Sequence, residues 1–325
     1  MDRINRFIAL FGVPEFLSPH LSQFLSEAEI NLVVLLDGGK YSISEIAAKL
    51  SCSLPEAEDL IKKSYEGHIL QREDNEGEFV YFAADFYDRL DYICKFDENY
   101  PLISEDLRQA LDQWCYEVYA ERMDVYLDSL MNKEAVDRAP EMFMQVEEID
   151  DVLNSVEDIR LVPCNCRKLS GRCTKPTETC LSFDNMISDR SAGRSLTKAE
   201  AKEIVEAAHR KGLMHQINSD WRLNGPAYIC NCCSCCCYPL RLAQGKGTKG
   251  VFPIIQYAVQ REEAKCSHCG ACTRRCHFEA FHLGESEVIV NGKPRKRVEL
   301  DLNKCWGCGI CVEACPEKAL SMVAV

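Results

Sequence analysis

CSHCGACTRRC (266–276) and CWGCGICVEACP (305–316) decide how the C-terminal end of this 325-residue chain folds. Each run sets three cysteines two residues apart and a fourth three residues further on. They are Cys266, Cys269, Cys272 and Cys276, then Cys305, Cys308, Cys311 and Cys315. Two intervening residues let a tight loop present three thiolates to three corners of an iron–sulfur cube. The fourth thiolate of each run is turned away and serves the other cube. The expected ligand sets are therefore Cys266, Cys269, Cys272 and Cys315 for cluster I, and Cys305, Cys308, Cys311 and Cys276 for cluster II. That gives two 4Fe–4S clusters. Zinc prefers paired knuckles with four ligands per ion, and two full runs in one rhythm do not read that way.

These motifs make residues 258–325 resemble the two-cluster bacterial ferredoxin family. The tail CWGCGICVEACPEKAL (305–320) is close to the family pattern. The resemblance implies a ferredoxin fold. His277 follows Cys276 where the family has proline, and the link between the runs is longer. That link carries a basic hairpin, Lys293, Pro294, Arg295, Lys296 and Arg297. Neither departure removes a ligand. With eight thiolates present, His268, His277 and His282 read as surface or neighbouring residues. His277 is placed to tune cluster II by hydrogen bonding.

The chain holds 21 cysteines. Cys52, Cys94 and Cys115 are scattered through the first half, and the rest lie between Cys164 and Cys315. Disulfide scaffolds are short and secreted. This chain is long, begins MDRINRF without a signal-peptide pattern, and has no run of about 18 apolar residues that would span a membrane. The expectation is a cytoplasmic protein of an anaerobic host with metal thiolates. Residues 1–163 carry a net charge of −21 and residues 164–325 a net of +8, together −13. An acidic half joined to a basic, cysteine-rich half implies different surfaces and partners.

Ten more cysteines lie upstream: Cys164, Cys166, Cys173 and Cys180, then Cys230, Cys232, Cys233, Cys235, Cys236 and Cys237. In the string CNCCSCCC (230–237), Cys230, Cys233 and Cys236 repeat the spacing that grips a cube, with Cys232 and Cys235 interleaved. The simplest assembly puts Cys230, Cys233 and Cys236 with one cysteine of 164–180 on a third cluster. The leftover thiols hold a fourth, so one or two further iron–sulfur clusters are expected in 164–237. Structural zinc with free thiols is the alternative. His215 is a candidate non-cysteine ligand, although a lone histidine is more often packed. The whole pattern over 160–325 resembles ferredoxin-like proteins of anaerobes. That resemblance implies electron transfer and names no substrate.

The expected fold class is multidomain α+β: a winged-helix-like domain over 1–100, a helical linker region over 101–160, a cysteine-rich iron–sulfur module over 161–250, and a two-cluster ferredoxin domain over 251–325. An apolar helix is expected over Leu21–Leu36. Capping boxes at Ser42/Glu45 and Ser53/Glu56 open two more, and strands follow near Ile69–Glu73 and Glu78–Ala83. Residues 102–131 read as one long amphipathic helix, and Glu141–Asp158 as a solvated acidic helix. Thr197 and Glu200 cap a further helix that Gly212 ends. The would-be recognition helix carries Glu56, Glu58, Asp59 and Glu66 against Lys62 and Lys63. That charge repels phosphate, so nucleic acid is not an expected partner.

The expected role is a multi-cluster electron carrier, or the electron-transfer subunit of an oxidoreductase. It relays low-potential electrons between redox protein partners, with the acidic half docking or forming a homo-oligomer. The alternatives are a reductase with a catalytic cluster in 164–237 and a redox-sensing winged-helix regulator. No Ser–His–Asp set, P-loop or flavin motif supports independent chemistry.

Overall fold

Serine caps set three helices near the start of the chain. The computed structural model describes residues 2–190 and 192–325. The chain divides into two compact units, Met1–Val118 with Ser188–Ser191, and Tyr119–Ile187 with Ala192–Val325. In the first unit Ser26, Ser42 and Ser53 open helices Glu27–Leu36, Ile43–Leu50 and Leu54–Glu66, each in a capping box with the glutamate three residues on. The reciprocal bonds satisfy backbone donors at the helix start. The single helix expected over Leu21–Leu36 is two elements: Glu15–Gln23 is a 3-10 helix, and Ser26 with Glu29 begins the α-helix. Strands β1 (Leu70–Asn75) and β2 (Glu78–Ala83) form a hairpin, and Tyr41 bridges to Tyr81 by mutual backbone bonds of 3.0 and 2.7 Å. Phe7, Phe11, Leu32, Leu36, Ile46 and Phe86 are sealed in the core. Glu56, Glu58 and Asp59 stay exposed. The long helix runs Glu105–Met131, its residues through Val118 belonging to this unit.

The second unit is built on a six-stranded antiparallel sheet of β3 (Glu141–Met144), β4 (Ile159–Pro163), β5 (Glu178–Phe183), β6 (Arg194–Ser195), β7 (Met214–Asn218) and β8 (Tyr228–Cys232). Their order is β3-β7-β8-β5-β4-β6. The acidic stretch is therefore not one solvated helix. Met142, Phe143 and Met144 are fully buried, so its start pairs with β7 as a strand, and only Ile149–Asn154 is α-helical. One face of the sheet carries Ile159, Leu161, Leu181, Phe183, Ile217 and Ile229 against Ala201 and Val205 of helix Lys198–Arg210. Successive strand residues alternate faces. Cys180, Cys230, Cys232 and Gln216 consequently point to the other face; the register pairs Gln216 with Cys230 and Met214 with Cys232.

The cysteine runs near the C-terminus lie in the same unit. Strand β9 (Tyr257–Arg261) pairs with β12 (Leu320–Ala324), and β10 (Phe281–Val290) with β11 (Lys293–Leu300). Asn291 and Gly292, both with positive φ, make the two-residue turn of the basic hairpin. Val259, Phe281, Val298, Cys311 and Leu320 form the small core between them. The chain is thus α+β with several small sheets. Among the described residues no helix is long and apolar enough to cross a membrane.

Candidate metal centres

The two C-terminal runs form loops that need left-handed glycines. Gly307 has φ +68°, and a Cβ there would overlap the Tyr257 carbonyl oxygen. The same holds for Gly309 against the Gln145 side-chain oxygen. Only glycine lets the backbone turn this tightly and approach this closely. Gln145 Nε2 donates to the Gly307 carbonyl at 2.7 Å and pins the loop. Cys266, Cys269, Cys272 and Cys315 line one cavity, from whose lining Cys276 is absent. Cys308 and Cys311 instead feel the charges of Cys276 and Cys305. Backbone N–H groups point at these sulfurs: Gly307 N lies 3.5 Å from Cys305 Sγ, and Ala319 N lies 3.3 Å from Cys315 Sγ. Burial pushes the Cys272 thiol up to about 11 and Cys308 to about 12. A metal that binds them must displace protons. Four convergent sulfurs around a cavity, with N–H donors behind them, fit an iron–sulfur cube.

The three C-terminal histidines do different work. His268 is held by the Val298 N–H at 3.1 Å from its Nδ1. His282 is exposed and faces Glu299 at 3.3 Å. His277 donates from Nε2 to the Gly212 carbonyl at 2.9 Å and accepts at Nδ1 from the Ser234 hydroxyl at 3.1 Å. Burial lowers its pKa below the ordinary histidine value. It therefore joins the residue after Cys276 to the middle of the upstream string.

The upstream thiols fall into two groups. Cys173, Cys233, Cys235 and Cys236 place their sulfurs within 4.8 Å of one another. Cys173 Sγ lies 3.8 Å from Cys233 Sγ and 3.7 Å from Cys236 Sγ, and Cys235 lies 3.7 Å from Cys236. Ala208 and Leu213 back this quartet. Cys230 is not in it, although its spacing matches Cys233 and Cys236. The strand ends at Cys232, so Cys230 and Cys232 obey strand alternation while the next residues turn away. The remaining six thiols interact electrostatically in succession: Cys164 with Cys180, Cys180 with Cys230, Cys230 with Cys232, Cys232 with Cys237, and Cys237 with Cys166. Cys180, Cys230 and Cys232 share one sheet face, and Cys232 and Cys237 both reach the Gln216 oxygen. Cys166 in turn feels the charge of Cys164, which closes the six into an electrostatic ring.

Four residues that the cysteine count did not point to organise these groups. Arg167 is 2 % exposed. Its guanidinium donates to the Asn231 carbonyl at 2.6 Å and the Pro176 carbonyl at 2.8 Å. The charges it feels are those of Cys164, Cys233 and Cys180. A buried cation is costly without an anion, and the ionisable groups that face it are thiols of both groups. His215 is fully buried but is no ligand of the quartet. Its Nδ1 donates to Asn231 Oδ1 at 2.5 Å, and its Nε2 accepts from His209 at 2.9 Å. Burial takes its pKa down to about 3. Gln216 Oε1 accepts from the Cys232 thiol at 3.2 Å and from Cys237 at 3.6 Å. Glu141 is buried beside Tyr228 and Cys237. The alternation of β7 around Gln216 was the signal available for it in the sequence. Arg167 had none.

Residues 265–320 match the 4Fe-4S dicluster domain. The chain is 38% identical over 64 residues to NADH-quinone oxidoreductase subunit I 2 of Geobacter metallireducens, covering 20% of this chain and 49% of that protein. A subunit I 2 of Symbiobacterium thermophilum is 28% identical over 72 residues, covering 22% of this chain and 30% of the relative. The chain thus spans about half or less of the length of these curated relatives. No solved structure matches it. The domain match and the sulfur groupings support iron–sulfur electron transfer.

Proposed function

We propose that this chain is a multi-cluster iron–sulfur electron carrier that relays low-potential electrons between protein partners of an anaerobic, cytoplasmic metabolism. The C-terminal pair, in a bacterial ferredoxin fold, would hold one 4Fe–4S cluster on Cys266, Cys269, Cys272 and Cys315. It would hold the second on Cys305, Cys308, Cys311 and Cys276. The Cys173, Cys233, Cys235 and Cys236 quartet would hold a third. When bound, the clusters supply one-electron redox chemistry, while the chain sets their potentials through N–H donors, burial and charge. The observation that carries the relay is the His277 bridge. Its two hydrogen bonds, 3.1 Å to Ser234 and 2.9 Å to Gly212, tie a cluster II ligand to the quartet loop.

The partners would be redox proteins of the oxidoreductase kind that the relatives' names describe. The basic hairpin 293–297 and Arg274 suit an acidic partner surface. The helices and hairpin of the first unit support a winged-helix-like docking module, whose exposed acidic helix disfavours nucleic acid.

Potentiometric titration of anoxic protein, read by low-temperature EPR, should resolve more than two clusters. His277→Ala should leave iron content unchanged and shift one C-terminal potential by the worth of a lost hydrogen bond, about 1 kcal/mol. A chain in which only two clusters titrate, neither coupled to a third centre, sinks the relay.

A further inference from the structure

We infer that Cys164, Cys166, Cys180, Cys230, Cys232 and Cys237, with the Gln216 amide, form one polynuclear iron–sulfur centre, larger than a single cube and separate from the Cys173 quartet. The inference rests on the reading above only in taking the upstream cysteines as metal thiolates.

Ligand number is the first argument. A 4Fe–4S cube takes about four cysteines, and so does a zinc ion. The ring has six: Cys180, Cys230 and Cys232 stand on the sheet face of Gln216, Cys232 and Cys237 lie 3.2 and 3.6 Å from its oxygen, and Cys164 and Cys166 interact electrostatically with Cys180 and Cys237. A single cube or ion leaves two of them, all buried or partly buried, idle. A centre that takes all six leaves none.

Unpartnered polar atoms are the second. Gln216 is 1 % exposed, and its Nε2 has no hydrogen-bond partner; Glu141 is 8 % exposed, and its Oε2 has none either. Buried polar atoms without partners are uncommon and mark ligand or functional sites. The Gln216 amide shows what is missing. With Cys232 and Cys237 as thiols, its oxygen accepts from both sulfurs and its nitrogen is orphaned. Once both lose their protons to solvent as sulfur–iron bonds form, the amide turns over and Nε2 donates to the thiolates. The orphaned donor is then satisfied, and N–H···S bonding stabilises the reduced centre.

Backbone donors are the third argument. N–H groups of Arg167, Tyr238, Asn231 and Leu240 are aimed at Cys164, Cys166, Cys180 and Cys237. This is the arrangement seen at Cys305 and Cys315. Arg167 supplies a buried positive charge that faces the ring and the quartet together.

The test is a metal and sulfide inventory of the full chain, purified without oxygen and reconstituted with iron and sulfide. Three cubes account for about twelve irons, and the wild type should hold more than about sixteen. Cys180→Ser with Cys230→Ser should remove more than about four irons and keep the C-terminal EPR signals, which also show that the chain has folded. Cys235→Ser should remove about four. If the ring variant does not fold, the wild-type inventory decides alone: about sixteen irons or fewer, or zinc at the ring by X-ray absorption, overturns the inference. Gln216→Leu should keep the iron and move one upstream midpoint potential to a more negative value; an unmoved potential removes the amide from the centre. Loss of about four irons in Cys235→Ser with none lost from the ring variant overturns this inference and leaves the relay standing. No iron lost from either ends both.

Discussion

The C-terminal runs and the upstream string both set cysteines two residues apart, but the backbone uses that spacing in opposite ways. In 266–276 and 305–315 the intervening residues sit in turns, with left-handed backbone at Gly270, Gly307 and Gly309. Each turn brings sulfurs of nearby sequence to one cavity. In 230–237 the first three residues belong to a strand, so Cys230 and Cys232 share a sheet face. Cys233, Cys235 and Cys236 lie beyond the strand and meet Cys173. Cys237 sits at the cap of helix Tyr238–Lys246 and returns to the strand cysteines. Equal spacing places ligands together only where the conformation between them is the same.

Four measurements break or sharpen that contrast. The largest effect is expected from Arg167→Met. Removing one member of a buried charge set typically costs about 3–5 kcal/mol, and both upstream groups face this guanidinium. The variant should lose upstream iron while the C-terminal EPR signals persist; full iron loading upstream would show that the cation is dispensable. Gly307→Ala is the mirror experiment. Its Cβ has no room against Tyr257, and its φ of +68° is strained for alanine, a combination worth about 1–3 kcal/mol. Iron should fall at the Cys305–Cys311 loop and not upstream, and equal loss at both places would erase the distinction between turn-built and strand-built sites.

Acid should act through the strand-built region. His215 ionises near 3 in the folded chain because burial penalises the cation, against about 6.5 unfolded. Between those values the unfolded chain binds the extra proton, so the stabilisation is present above about 6.5 and is lost as pH falls toward 3. Urea melts of the apoprotein across that window should show the loss, and His215→Gln should reduce the slope, to which buried His68, held down to about 4, also contributes; an unchanged slope removes His215 as a source. The smallest effect is expected in the first unit. Ser42→Ala removes a cap worth about 1 kcal/mol and should lower a thermal transition without changing iron content. A change in iron would mean that the helical unit controls the metal sites.

Legibility followed local geometry. The capping boxes at Ser42, Ser53 and Thr197 could be read because cap and acceptor lie three residues apart. The β1–β2 hairpin and the three-cysteine turn within each C-terminal run could be read for the same reason: their partners are close in sequence. The upstream grouping could not, since Cys173 meets Cys233 across 60 residues and the end of β8 decides which sulfurs stay together. Arg167 and Glu141 were invisible because only tertiary packing buries them. The acidic stretch misled because its carboxylates dominate the composition, while Met142, Phe143 and Met144 at its start form a sheet edge.

Pleating also gives this protein a parity rule. In β4, β5, β7 and β8 the odd-numbered residues Ile159, Leu181, Ile217 and Ile229 face hydrocarbon, and the even-numbered Cys180, Gln216, Cys230 and Cys232 face sulfur. Adding one residue inside β8 would reverse that order beyond the insertion, driving thiols into the oily layer and isoleucine among the sulfurs. Adding two would restore it. In this sheet the arithmetic of length, more than the identity of any one neighbour, separates a tolerable insertion from a ruinous one.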